Sequence, residues 1–171
     1  SNKISGKSRG MVVTRSRLHC VKYKLEFDKQ IKEMKLPYGC LVGFSGTVYD
    51  KDSHKEHTES SMNDFPERLT QENFKNPQHR ILIVCNKFQT GFDEPLLHTM
   101  YVDKHMYGIK PVQTLSRLNR ATRGKDDTFI LDFKNTFLTY DELGERHSPV
   151  FIIILSYFYK NNWFLLFDFY F

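Results

Sequence analysis

The sequence predicts an α/β fold, a mostly parallel sheet with helices on both faces. Two observations lead to this prediction. Several short apolar runs have the length of a strand and lack the polar alternation of a half-exposed strand, which is typical of strands buried on both faces. Between these runs lie segments of helical periodicity or polar composition, and strands that alternate with helices favour a parallel sheet. The 171 residues are enough for one domain with a single core.

The chain begins with a predicted strand and helix. Residues 10–14, Gly-Met-Val-Val-Thr, form a short apolar run that predicts a buried strand. Residues 16–35 predict a helix, because apolar side chains recur there at helical spacing with Lys and Glu between them. Pro37 ends this helix, and the apolar run over residues 40–44 predicts the second strand.

A polar segment separates these elements from the clearest strand. Residues 47–66 are rich in His, Asp, Glu and Ser, so we predict a long loop. A short helix over residues 69–74 precedes the uninterrupted apolar run at residues 81–85, Ile-Leu-Ile-Val-Cys. The same criteria predict the remaining elements, which are strands at residues 100–103 and 128–132 and, between them, a helix opened by Lys110-Pro-Val112, where proline suits the first turn.

Positive charge is concentrated in two zones. Residues 1–40 carry ten Lys or Arg and three acidic residues, whereas residues 104–125 carry six Lys or Arg and no acidic residue. Two basic zones in a chain of net charge +5 indicate a polyanionic partner, nucleic acid or nucleotide, more than a membrane surface. The alternative is that each zone is a solvated helix face.

The carboxyl-terminal segment differs from the rest in composition. Residues 150–171 are dominated by aromatic and aliphatic side chains, and Lys160-Asn-Asn162 divides them into two runs. Each run is too short to cross a membrane. A buried helix or strand pair and an abnormal end, truncated or frameshifted, both remain open. We therefore divide the chain into a predicted α/β domain, residues 1–137, and a divergent tail, residues 138–171.

The cysteines indicate a reducing compartment. Cys20, Cys40 and Cys85 form no Cys-x-x-Cys pair, and their number is odd. Reduced, buried thiols in a cytoplasmic protein explain them most simply, and the sequence shows no signal peptide. Because the chain begins with Ser1 rather than Met, a fragment of a longer protein is a further expectation.

Two short motifs carry weak signals. Gly6-Lys-Ser8 looks like the end of a P-loop, but Ser1 occupies the place of the first glycine and a strand follows where a helix is needed. His54 and His57 have a spacing that metal ligands use, but they lie in a polar segment with no third ligand at suitable spacing. We therefore predict no metal site in this chain.

A Gly-x-Asp loop and an arginine-bearing helix give the strongest functional signal. Gly91 allows a positive φ or a close approach of the backbone, and Asp93 can accept a hydrogen bond from a ribose hydroxyl. Gln113, Arg117 and Arg120 follow one another at helical spacing, so we predict them on one face of a helix. Two guanidinium groups with no acid on that face suit phosphate oxygens. The alternatives are an ordinary turn and a solvated helix face.

Four segments together resemble a known family. They are residues 11–19, 41–48, 83–104, which include Asn-Lys-Phe-Gln-Thr-Gly-Phe-Asp, and 113–120, Gln-Thr-Leu-Ser-Arg-Leu-Asn-Arg. In this order they are similar to the second RecA-like motor lobe of the R subunit of type I restriction endonucleases, which are superfamily 2 DNA translocases. The resemblance covers about residues 8–135 and fades after Phe137.

The resemblance implies an activity for the full subunit. Such a subunit hydrolyses ATP to pump double-stranded DNA past a complex of specificity and modification subunits, and then cuts at a distant site. The P-loop and the acids that bind Mg²⁺ would belong to the first motor lobe, outside this chain, and this lobe would close over the ATP held there. The expected location is cytoplasmic, with no membrane partner.

The resemblance also implies roles for the residues of the loop and the helix. Arg120 is the candidate arginine finger, Arg117 would hold the γ-phosphate beside it, and Gln113 belongs to the same motif. Gly91 and Asp93 would bind ATP, with Asp93 at the ribose.

Candidate DNA contacts lie in three of the four segments. Arg15, Ser45 and Lys87 would contact DNA phosphates. Where many such motors have a backbone-contacting Thr, this sequence has Cys85-Asn86, a departure that concerns the DNA contacts more than the nucleotide contacts. Two other functions stay open at this point: another superfamily 2 helicase lobe that acts on DNA or RNA, and a non-catalytic fragment.

Overall fold

A computed structural model describes residues 3–123, 125, 127–134 and 150–154. It divides into two compact units. We call Met11–Phe92 the middle unit, and Ser1–Gly10 with Asp93–Phe171 the terminal unit. The boundary falls inside the Gly91-Phe-Asp93 loop. The sequence-based division at residue 137 stays a prediction, since residues 135–149 and 155–171 lie outside the described part of the chain.

The middle unit contains most of the helices and strands that the described residues form. Its first strand begins two residues earlier, in the terminal unit. In chain order the elements are β1 (Arg9–Thr14), α1 (Arg17–Glu33), β2 (Gly39–Gly43), β3 (Val48–Asp50), β4 (Lys55–His57), α2 (Glu59–Asn63), a 3₁₀ turn (Glu67–Leu69), α3 (Thr70–Phe74) and β5 (His79–Val84).

Strands β2, β5 and β1 are neighbours in that order in the sheet of the middle unit. β2 and β5 run parallel, with Leu41 opposite Leu82. The hydroxyl of Thr14 donates to the carbonyl of Val84 at 3.0 Å, so the carboxyl ends of β1 and β5 lie side by side. All of β1 and the last four residues of β2 and β5 are buried. Because successive side chains point to opposite faces, both faces of this sheet are covered.

Helix α1 packs on β2 and β5. It begins at Ser16, whose extended backbone and side-chain hydroxyl cap the helix by accepting the N–H of His19. Val21 and Phe27 lie on its buried side, whereas Leu25 is about half exposed. The predicted helix is thus confirmed, although not every apolar residue of its sequence faces the core.

The prediction of a long polar loop over residues 47–66 is wrong. β3 and β4 pair as an antiparallel hairpin, and α2 follows with a capping box between Thr58 and Ser61. Polar composition predicted solvent exposure, but Glu59 and Asn63 are buried. Their side chains bond to protein groups instead of water, as described below.

The terminal unit also carries parallel strands. β6, β7 and β8 are neighbours in that order, both pairs are parallel, and every residue of β6 and β7 is buried. The α/β fold with a mostly parallel sheet is therefore confirmed. No helix within the described residues is long and apolar enough to cross a membrane. The elements are a 3₁₀ turn (Lys3–Gly6), β6 (Leu97–Asp103), α4 (Lys110–Leu115), a 3₁₀ turn (Ser116–Asn119), β7 (Thr128–Asp132) and β8 (Val150–Ile154).

The arginine-bearing helix is shorter than predicted. α4 ends at Leu115, a 3₁₀ turn follows, and Arg120 is extended with φ −72° and ψ 120°. A 3₁₀ turn has three residues per turn rather than 3.6, so the spacing of an α-helix no longer applies. The prediction that Gln113, Arg117 and Arg120 share one helical face is therefore wrong.

Candidate nucleic-acid interface and nucleotide site

The three predicted DNA contacts of the middle unit lie after the ends of strands β1, β2 and β5. Arg15 follows β1, Ser45 lies just after β2, and Lys87 lies just after β5. They line one cavity of about 560 Å³ together with Ser16, Arg17, Cys85 and Asn86. The structure thus brings together residues that are far apart in sequence, at the carboxyl edge of the sheet where open α/β folds place their ligands.

The start of α1 forms one wall of this cavity. Arg15 is exposed and its Nε donates to the ring Nε2 of His19 at 2.9 Å. Ser16 Oγ lies 2.7 Å from the other ring nitrogen of His19. These contacts hold the Arg15 side chain near the amino terminus of a 17-residue helix, where unpaired N–H groups and the helix dipole favour an anion.

Arg17 ties this wall to the loop after β2. Its Nη1 donates to the carbonyl of Ser45 at 3.0 Å. Gly46 comes next, with φ +77°, and a side-chain carbon at Gly46 would lie 3.0 Å from the same nitrogen. Sequence reasoning did not select Arg17, although its position in the Thr-Arg-Ser-Arg run next to Arg15 was a usable signal.

The loop after β5 is held in an unusual backbone conformation. Asn86 and Phe88 have φ of 62° and 64°, a region that a bulky side chain rarely adopts. Lys87, between them, donates its N–H to the carbonyl of Cys85 at 2.8 Å. The Phe88 ring covers Gly43, where an added Cβ would lie 2.6 Å from the ring. This packing fixes the loop that presents Lys87.

The buried carboxylate of Glu59 joins two of the cavity loops. It is 1% exposed, and its Oε2 accepts the N–H of Phe44 at 2.7 Å and the ammonium of Lys87 at 2.9 Å. Thr70 Oγ1 donates to its other oxygen at 2.5 Å. Lys87 also lies 3.4 Å from Glu67. The Lys87 ammonium, predicted as a phosphate contact, is therefore already ion-paired.

Asn63 supports the same strand from the other end of α2. Its side-chain amide accepts from the N–H of Val42 and donates to the carbonyl of Val42, each at 2.9 Å. Val42 lies in β2, which pairs with β5 on one side and with no other strand of the described residues. Sequence reasoning missed Glu59 and Asn63. The available signal was Thr58 directly before an acidic residue, which marks the start of a helix.

In the terminal unit, Asp93 and Arg120 lie close together. Arg120 Nε is 3.3 Å from Asp93 Oδ1, and their side chains are 49% and 64% exposed. An exposed pair of this kind adds little to stability, so both groups are available for other partners. Arg117 Nε donates to the carbonyl of Gln113 at 3.2 Å. The Gln113 side chain is exposed.

Lys125 holds the segment that carries Arg120. Its ammonium donates to the carbonyls of Leu118 at 2.5 Å, Arg120 at 2.9 Å and Pro95 at 3.2 Å. Burial lowers the pKa of Lys125 to about 8, while the charge of Glu94 opposes this effect. Sequence reasoning missed this clamp, since nothing in the sequence pairs Lys125 with carbonyls that precede it.

A buried ion pair anchors the residues next to Asp93. Arg9 Nη1 lies 2.8 Å from Glu94 Oε1, with both side chains about 5% exposed or less. The same Glu94 oxygen accepts the N–H of Leu96 at 3.0 Å. Gly91, in the middle unit, has φ +68°, so it needs the conformational freedom predicted for it.

The parallel strands, the helices around them and the cationic cavity define an α/β domain with its basic groups at the carboxyl edge of a sheet. The family model of type I restriction enzyme subunit R domain 3 matches residues 44–135, which is more than half of the chain. The chain belongs to this family.

Relatives bear similar names. Two from Methanocaldococcus jannaschii are named "Putative type I restriction enzyme" endonuclease subunits. MjaVIIP is 31% identical over 91% of this chain, and MjaIXP is 34% identical over 73% of it. The type I restriction enzyme HindI endonuclease subunit of Haemophilus influenzae is 30% identical over 49% of this chain. The matched segments span 16%, 12% and 8% of these relatives, so the chain corresponds to a small part of their length.

Proposed function

We propose that this chain serves as the second RecA-like motor lobe of a type I restriction R subunit. In this role it closes over ATP and helps to move double-stranded DNA before cleavage. The observation that carries the proposal is the convergence of Arg15, Ser45 and Lys87, from three strand ends, at one cationic cavity. The family and the names of the relatives support a place in a larger assembly with specificity and modification subunits.

The cavity suits a phosphate of the DNA backbone. Arg15, Arg17 and Lys87 supply three cationic groups, and the amino terminus of α1 adds the positive end of its dipole. Contacts of this type fix the position of a protein on DNA without reading its sequence. The recognised DNA site would then be chosen by another subunit, as the resemblance implies.

The terminal unit carries hydrogen-bond donors and acceptors that match those of ATP. The exposed guanidinium of Arg120 is a planar fork that matches phosphate oxygens, and the Asp93 carboxylate accepts from hydroxyl groups. Arg117 and Gln113 precede Arg120 on the same segment, and Gly91 precedes Asp93. We assign them to ATP bound mainly by the first motor lobe, which would also hold Mg²⁺. Bound ATP supplies the phosphoryl group whose transfer to water drives the motor.

The DNA role is tested in the intact R subunit with its partner subunits. We expect the Arg15→Ala, Lys87→Ala double variant to need more duplex DNA for half-maximal stimulation of ATP hydrolysis, because two phosphate contacts are lost. The double variant Lys22→Ala, Lys29→Ala, which removes two exposed lysines of α1, is the matched control. Unchanged stimulation in the double variant would contradict the proposal. Stimulation of ATP hydrolysis by RNA instead of duplex DNA would point to an RNA-acting lobe. If neither nucleic acid stimulates ATP hydrolysis, the chain would be a non-catalytic fragment.

The role of Arg120 is tested in the same assembly. Arginine fingers contribute roughly 10³–10⁵ in rate, so we expect Arg120→Ala to reduce the DNA-stimulated rate of ATP hydrolysis by a factor in that range. Arg123→Ala, a change at an exposed neighbour, controls for the loss of one positive charge. An ATPase rate in Arg120→Ala equal to that of the wild type would remove the finger assignment.

A further inference from the structure

We infer that Glu59 is a positioning residue for the cationic cavity. Its carboxylate holds the Lys87 side chain and the Ser45 loop in place to receive a phosphate group. This inference rests on the proposed function of the cavity. It assigns a role to a residue in a segment whose polar sequence predicted a solvated loop.

The contacts of Glu59 reach both loops at once. Its Oε2 accepts the N–H of Phe44, the residue immediately before Ser45, and the ammonium of Lys87. One oxygen atom therefore bridges the end of β2 and the loop after β5. The third contact, with Thr70 at 2.5 Å, fixes the carboxylate itself on the side of α3.

Because Glu59 is buried, its carboxylate has to stay paired with Lys87. A buried carboxylate is stable only when paired, and Lys87 is the one cation within reach among the contacts described for it. The Lys87 side chain is 23% exposed and lines the cavity, so it can meet a bound phosphate while one donor stays on Glu59. An ammonium has three donors. The contact with Glu59 and the longer contact with exposed Glu67 at 3.4 Å use two of these donors, which leaves the third for a phosphate oxygen.

Three roles of Glu59 predict different salt dependences of DNA binding. If Glu59 positions Lys87, the loss of its charge costs one phosphate contact. If it only neutralises Lys87, the loss of its charge strengthens binding. If it only supports the fold, the folded protein binds with unchanged salt dependence. The slope of the logarithm of affinity against the logarithm of salt concentration reports contacts, at about 0.9 for each phosphate neutralised on duplex DNA.

The experiment measures binding of the full chain to a short fluorescent duplex by anisotropy, from about 50 to 200 mM KCl. The single variants are Glu59→Gln, Lys87→Ala and Arg15→Ala, and the combined variant carries Glu59→Gln and Lys87→Ala. Gln keeps the shape of Glu and one accepting oxygen but not its charge. We expect each single variant to reduce the magnitude of the slope by about 0.9. The combined variant should equal Lys87→Ala alone, since Glu59 would act through Lys87.

Glu56→Gln is the matched control, because it removes one negative charge at an exposed position on β4. Circular dichroism confirms that each variant is folded at the temperature of the titration. Tighter binding by Glu59→Gln, an unchanged slope, or additive effects in the combined variant would overturn the positioning role. If the wild-type chain does not bind the duplex, or Lys87→Ala and Arg15→Ala bind as the wild type does, the proposed function fails instead.

Discussion

At the scale of single residues, Phe88 shows how packing holds a conformation that its backbone disfavours. A positive φ at a bulky residue costs free energy and persists only where the surroundings impose it. The Phe88 ring covers Gly43 and packs against Phe92, with ring centroids 5.4 Å apart. Phe92 in turn lies 6.0 Å from Phe74. The loop that presents Lys87 is thus held by a chain of aromatic contacts.

Gly43→Ala tests this packing. A Cβ at Gly43 would lie 2.6 Å from the Phe88 ring, so we expect a loss of about 1–3 kcal/mol in the free energy of unfolding. Gly39→Ala at the other end of β2 is the control, because its nearest neighbours lie 3.9 Å away. Urea denaturation of both variants measures the difference. Equal stability of the two variants would show that Phe88 moves aside without cost.

At the scale of elements, the ends of helices decide where the functional groups lie. α2 places Glu59 and Asn63 one helical turn apart, so Asn63 bonds to Val42 in β2 and Glu59 to Phe44 just after it. Lys125 caps the 3₁₀ turn that leads to Arg120. The apolar runs and helical periodicity of the sequence predicted strands β1, β2, β5, β6 and β7 and helix α1, but not the hairpin of β3 and β4. The sequence did not predict the contacts of Glu59 and Asn63, because their partners are distant in sequence. It did not predict the cap formed by Lys125, because that cap lies where the α-helix changes to a 3₁₀ turn.

Asn63→Ala tests the link between α2 and β2. Removal of the amide leaves the buried N–H and carbonyl of Val42 without this partner, and an unsatisfied buried group costs about 1–3 kcal/mol. We therefore expect a loss of that size in the free energy of unfolding. Asn76→Ala, at an exposed turn where water can replace the hydrogen bond that its side chain accepts from the N–H of Gln78, should change it by less than about 0.5 kcal/mol. Similar losses at both positions would contradict the role of Asn63.

Lys125 gives a prediction about pH. Its pKa in the folded chain is about 8, lowered from 10.5 by burial, so above pH 8 the folded state binds fewer protons than the unfolded state. The contribution of Lys125 to the free energy of unfolding therefore rises between about pH 8 and 10.5. We expect the free energy of unfolding of wild type relative to Lys125→Met to increase over that range in urea denaturation. Parallel pH curves for the two proteins would contradict the lowered pKa.

At the scale of the whole molecule, the sequence predicted the α/β class and the positions of strands β1, β2, β5, β6 and β7 along the chain, because burial on both faces leaves continuous apolar runs. It also selected Arg15, Ser45 and Lys87, whose meeting at one cavity depends on the strand order β2-β5-β1. That order comes from pairings between distant segments, which local periodicity does not encode. The partners of Lys87 escaped prediction for the same reason.

All three cysteines lie in the middle unit and are buried, so their reactivity reports on that unit. Burial raises the pKa of the Cys20 and Cys40 thiols well above the usual range. In a Cys85→Ser variant, which removes the thiol that lines the cavity, we expect no reaction with a disulfide reagent at pH 8 until urea unfolds the unit. Rapid labelling of the native protein would contradict this protection.

The contacts of α2 also determine where extra sequence can be added to this chain. The segment between β3 and β4 has an exposed turn at residues 51–54, and exposed turns accept inserted residues well. An epitope or a fluorescent label placed there leaves Glu59 and Asn63 in register with β2. The same insertion between residues 58 and 63 would pull both side chains off the strand, although the two stretches look equally polar in the sequence.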